Sequence, residues 1–133
     1  MIEVGEYIRT KRGYITKILK CLGKDIGYKN MQHYDVDHWT PYQGFIIYEE
    51  DIKAHSKNII DLIEVGDYVN GIRINKKFAI KTNPVTNHKY LEYNYGFENI
   101  LNDFEIKTML THEQYEQNCY KVGDIEWWQI KTY

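Results

Sequence analysis

Apolar and polar positions alternate with a period of two along much of this chain, and glycine, asparagine or short charged runs interrupt the pattern. The clearest stretch is Ile63-Glu64-Val65-Gly66-Asp67-Tyr68-Val69-Asn70-Gly71-Ile72-Arg73-Ile74. Val65, Tyr68, Val69, Ile72 and Ile74 are β-branched or aromatic and suit a pleated, half-buried surface. Asn70-Gly71 between them predicts a two-residue type I′ turn, because both central residues of that turn need positive φ. The first half of the stretch recurs at Ile2-Glu3-Val4-Gly5-Glu6-Tyr7-Ile8. There Tyr7 to Thr10, the turn Lys11-Arg12-Gly13 and Tyr14 to Leu19 again read as strand, turn, strand. A weaker echo, Val122-Gly123-Asp124, lies further on. The repeat is read as turn chemistry that opens a strand, not as a duplication.

Further strands are expected at Gly44 to Tyr48, at Phe78 to Lys81 up to the Asn83-Pro84 stop, and within Lys89 to Phe97. Phe104, Ile106, Thr108 and Leu110 alternate as in a half-buried strand. Residues 52–56 fit a strand or a turn. Asn58 to Ile63 reads as a short helical turn capped by Asn58. Thr111-His112-Glu113-Gln114 is a capping box that predicts a helix over about residues 112–118. Tyr120 to Val122 returns to strand, and Ile125 to Ile130 reads as an edge strand or a docking tail. By contrast, 23–43 is polar, glycine-punctuated and rich in mixed polar and aromatic residues. It reads as a long loop or insertion, the segment expected to carry function.

These elements predict one domain over 1–133, mostly β (α+β). The expected form is a small curved antiparallel sheet, or a partly open SH3-like barrel, of about six to eight strands with one short C-terminal helix. Composition is consistent with this. The 133 residues are 43% hydrophobic, enough for a real core. The formal charge of -2 gives no general attraction to phosphate backbones or anionic lipid. Two cysteines, no secretory signal and no run long enough to span a membrane predict a soluble protein of a reducing cytoplasm.

Tyrosine is over-used, with 13 copies. Tyrosine and tryptophan offer contact area at low entropic cost, so Tyr34, Trp39, Tyr42, Tyr93 and Tyr95 are taken as partner-binding candidates. The first 30 residues are locally basic. Lys11, Arg12 and Lys17 with Tyr14 form an alternative, nucleic-acid-binding set. His33, Asp35, Asp37 and His38 are the one metal-like group, but no second ligand set accompanies them, and a solvated polar loop is expected. Neither Cys21 nor Cys119 has a base nearby in sequence, and no phosphate-binding loop, nucleophile elbow or zinc-protease motif occurs. No enzyme activity, metal or cofactor is therefore expected.

Two segments, 59–71 and 106–116, resemble parts of small accessory proteins of phages and prophages of Gram-positive bacteria. The Gly-Asp-x-Val then Gly-x-Ile pattern of 66–72 also resembles KOW- and Tudor-like small barrels. The first resemblance implies a protein working in a bacterial host cytoplasm. It would bind a host or defence-system protein and inhibit it, as an anti-CRISPR protein does. The alternative it implies is a nucleic-acid binder or a sponge for a signalling nucleotide. Homo-oligomer formation is left open by both.

Overall fold

The computed structural model describes residues 1–41, 43–93, 99–120 and 122. It is mostly antiparallel β. Five strands form the first sheet: β1 (Tyr7–Thr10), β2 (Ile15–Asp25), β3 (Met31–Thr40), β4 (Gly44–Tyr48) and β5 (Ile52–Ser56), in the order β4-β3-β2-β1-β5. Two three-stranded sheets follow. One is β11-β6-β7, built from β6 (Tyr68–Val69), β7 (Ile72–Arg73) and β11 (Met109–Leu110). The other is β10-β9-β8, from β8 (Ala79–Thr82), β9 (Lys89–Glu92) and β10 (Ile100–Asn102). Among the described residues the sheets do not close into a barrel, and there is one α-helix, α1 (His112–Asn118), near the C-terminus.

The segment expected to be a loop at 23–43 is instead a long hairpin. Strand β2 runs through to Asp25, and β3 spans ten residues. The turn between them places Lys29 and Asn30 at φ of 55° and 53°, and the Met31 amide donates to the Tyr28 carbonyl. The polar-aromatic mixture of β3 hides a period-two pattern. Tyr34 and Val36 point into the core at 5% and 1% exposure, while His33, Asp35 and Asp37 alternate with them on the other face. Register shifts at Ile18/Lys20 and Cys21/Gly23 in β2 break the alternation further.

The central hairpin forms as its sequence predicts. Asn70 and Gly71 have φ of 50° and 81°, and Tyr68 faces Arg73 while Val69 faces Ile72. Helix α1 occupies the expected range, and the Thr111 hydroxyl accepts from the Gln114 amide. The reciprocal half of the capping box is absent, because the Gln114 side chain donates to the Arg12 carbonyl instead. Asn58 precedes a 3₁₀ turn (Ile59–Leu62), but its side chain makes no cap bond. The segment 125–130 lies outside the described residues.

Both Val-Gly-acid turns adopt one hydrogen-bonding pattern. Gly5 and Gly66 sit at φ of 89° and 92°, a conformation that costs other residues about 1–2 kcal/mol. Their amides donate to the carbonyls of Ile18 and Ile74. The amides of Glu6 and Asp67 donate three residues back, to Glu3 and Glu64, and their carboxylates accept from the Glu3 and Glu64 amides at 2.5 and 2.8 Å.

Apolar burial splits into two clusters. Ile8, Ile18, Tyr34, Val36 and Ile47 form one beneath the first sheet. Ile60, Ile63, Val69, Ile74 and Leu91 form the other, flanked by Phe78, Tyr93 and Met109 among others. Burying each such aliphatic side chain contributes roughly 1.5–3 kcal/mol. Strand β1 lies between the clusters. Neighbouring residues on a strand face opposite sides, yet Ile8 and Arg9 are both 0% exposed. Ile8 faces the first core, and Arg9 faces the second half of the molecule.

Candidate functional site

Arg9 is the centre of the densest polar cluster. Its guanidinium donates to both Asp67 oxygens, at 2.5 and 2.9 Å, and to the Leu62 carbonyl at 2.8 Å. It also donates to Glu113 and lies 3.4 Å from Glu64. Lys53 bridges Glu64 and Glu113 at 2.9 and 3.2 Å. His112 approaches the same two carboxylates at 2.9 and 3.4 Å, and its amide donates to Asp67. Thus β1, β5, the turn before β6 and the first turn of α1 meet at one point.

Opposing effects set the ionisation here. Burial would raise the Glu113 carboxyl, but the hydrogen bonds and charge of Arg9, a backbone amide and Lys53 together outweigh it and hold the group below its ordinary value. Glu64 is likewise lowered: burial works against ionisation, and the hydrogen bonds from Lys53 and His112 win. Arg9 would be lowered by burial, yet Asp67 and Glu113 raise it. Fixed charges of both signs therefore satisfy one another.

Glu64, His112 and Glu113 are the one set of three metal-ligating side chains that converge among the described residues, with donor atoms within 4.8 Å of one another. Arg9 and Lys53 already supply the positive charge that a metal would bring to those carboxylates. The cluster is an internal ionic joint. Arg9 has one local signal in the sequence, a lone arginine between Ile8 and Thr10 in a strand, and only the fold brings its partners to it.

The His33 to His38 group does not converge. His33 stacks on Tyr48 and bonds the Gly23 carbonyl, while Asp37 accepts from the Thr16 hydroxyl and the Lys17 amide.

The partner-binding candidates separate. Tyr34 is a core residue of the first sheet, which corrects its assignment to a surface: at its place in β3 the side chain turns inward. Tyr93 packs partly buried against the second core. Tyr42 and Tyr95 lie outside the described residues. Trp39 is 60% exposed at the end of β3, with its indole beside Gly44.

The alternative set converges in part. Lys11, Arg12 and Tyr14 line a cavity of about 120 Å³ with Thr40, Pro41 and Gln43. Trp39 immediately precedes two of those residues, so residues from both candidate sets meet at one end of the first sheet. Lys17 stays apart, with its ammonium over the Tyr7 ring at 5.4 Å. No protein-family model, curated protein or solved structure matches the chain. Among the described residues, no helix is long and apolar enough to cross a membrane.

Proposed function

We propose that this chain is a non-enzymatic binding protein that docks a protein partner through the Trp39 end of its first sheet. The exposed indole of Trp39, on the strand end whose next residues Thr40 and Pro41 line a small cavity, is the observation that carries this reading. Small-molecule sites span roughly 300–1,000 Å³, so a cavity of about 120 Å³ suits a single inserted side chain. Lys11 and Arg12 outnumber Asp51 among the charged residues that line the cavity and favour an acidic one. Tryptophan is enriched among interface hot spots. The phage-like segments 59–71 and 106–116 favour a bacterial host or defence-system protein, such as a CRISPR effector, as the partner.

A second reading is favoured by the convergence of Lys11, Arg12 and Tyr14. Stacking and charge at that end would bind single-stranded nucleic acid or a signalling nucleotide. A pull-down from bacterial lysate, assayed for protein and for nucleotide, separates the two. A protein partner lost on Trp39→Ala, with affinity down by ~2 kcal/mol or more at an unchanged melting temperature, supports docking. Co-purified nucleic acid lost on Lys11→Glu, with affinity falling steeply in salt, supports the second reading. Trp39→Ala that unfolds the chain, or leaves partner binding intact, overturns the first.

A further inference from the structure

A second concavity lies on the other half of the molecule, between the β6–β7 hairpin and α1. Its volume is about 430 Å³, inside the small-molecule range. The hairpin wall carries Tyr68 and Arg73, which are cross-strand partners and so present their side chains on one face. The helix wall carries His112, Tyr115 and Glu116. The Tyr68 and Tyr115 rings pack with centroids 5.4 Å apart, and Tyr115 remains 45% exposed.

The charges on the two walls differ in sign. Arg73 is exposed and has no ionic partner among the described residues. Glu116 is 69% exposed, with His112 Nδ1 at 3.8 Å as its ion-pair contact. The remaining acids nearby, Glu64 and Glu113, are held by Arg9 and Lys53. One accessible cation and one accessible anion thus flank an aromatic floor.

That balance selects a ligand class. A multiply charged phosphate would gain at Arg73 and lose at Glu116. A zwitterion with a planar ring gains at both charged walls, its carboxylate turned to one and its ammonium to the other, while its ring meets a tyrosine face. We propose that this groove binds an aromatic α-amino acid. The carboxylate accepts a bidentate pair from the Arg73 guanidinium, the ammonium donates to Glu116, and the ring lies on Tyr68 and Tyr115.

Calorimetric titration of the full chain with L-phenylalanine and L-tryptophan tests this. Two half-ligands, 3-phenylpropionate and 2-phenylethylamine, and adenosine monophosphate serve as comparisons. Saturable binding of at least one amino acid is expected, weakened about 10-fold or more for each half-ligand. Arg73→Gln and Glu116→Gln should each weaken it by a similar factor. Both positions are exposed, and the thermal melt monitors that the fold is intact. The proposal is overturned by the absence of saturable binding, by tighter binding of adenosine monophosphate, or by wild-type affinity in both variants.

Discussion

The two Val-Gly-acid turns share a backbone and differ in what surrounds them. Around Gly5, the Glu6 carboxylate has one oxygen left for His55 at 2.8 Å, and that imidazole is itself 39% exposed. Around Gly66, Asp67 is 0% exposed and its oxygens also hold Arg9 and the His112 amide. The space beside the glycines differs too. A Cβ at position 5 would meet nothing within 4 Å, whereas one at 66 would lie 3.2 Å from His112 Cβ. The same local sequence therefore makes the same turn twice, and its position in the fold decides whether the buried acid meets a half-exposed histidine or anchors a buried cation.

The largest expected difference follows from Arg9 and Asp67. Arg9→Met leaves Asp67 buried and uncompensated and should cost ~3–5 kcal/mol in chemical denaturation. Glu6→Gln at the other turn should cost less, about 1–2 kcal/mol, because its histidine partner is half-exposed and the amide oxygen can still accept from the Glu3 amide. Equal costs would break the comparison.

The glycines give a smaller contrast. Gly5→Ala should cost the left-handed backbone penalty, ~1–2 kcal/mol. Gly66→Ala should cost more, since His112 must also yield. Melting temperatures that fall equally would show that helix α1 shifts freely.

Acid should act through the second turn as well. Glu64 and Glu113 have folded pKa values below the ordinary 4.5, held there against burial by Arg9, Lys53 and His112. A lowered carboxylate stabilises the fold above its unfolded pKa, and that contribution is lost as pH falls through the folded value. Stability should therefore hold from neutral pH down to about 5 and decline below it. In Arg9→Met that decline should be shallower, as read from denaturation midpoints at pH 3 to 7.

The smallest effect expected is at the helix cap. Thr111→Ala should cost ~0.5–2 kcal/mol, because the hydroxyl both accepts from Gln114 and donates to the Gly13 carbonyl. Differential scanning calorimetry resolves a change of that size.

Elements with a strong local signal were legible in the sequence. Asn70-Gly71 specified its own turn, Thr111 its own cap, and the alternation around Ile72 and Ile8 the strands they lie in. What depended on distant neighbours was not. Tyr34 and Trp39 lie five positions apart in one polar-aromatic run, yet one is core and the other exposed, because an odd spacing along β3 puts their side chains on opposite faces, Tyr34 with the buried Val36 and Thr40. The ionic joint was hidden for the same reason: Arg9, Lys53, Glu64 and Glu113 look like ordinary surface charges until the fold brings them together. The convergence of Lys11, Arg12 and Tyr14 on a cavity was half visible, as a basic hairpin, while the contribution of Thr40 and Gln43 was not.

The joint also bears on how the chain is made. Arg9 leaves the ribosome ahead of its partners: Asp67 follows 58 residues later and Glu113 104 residues later. Until then the guanidinium must remain hydrated, so β1 can be covered on one face only. The first sheet can collapse around Ile8 and Ile18 during synthesis, while the opposite face of β1 waits for α1. Closing so long a loop is slow more than it is costly, since the entropic term grows only with the logarithm of length. A nascent chain halted before Thr111 should accordingly hold its first core folded, with Arg9 still open to water and exchange.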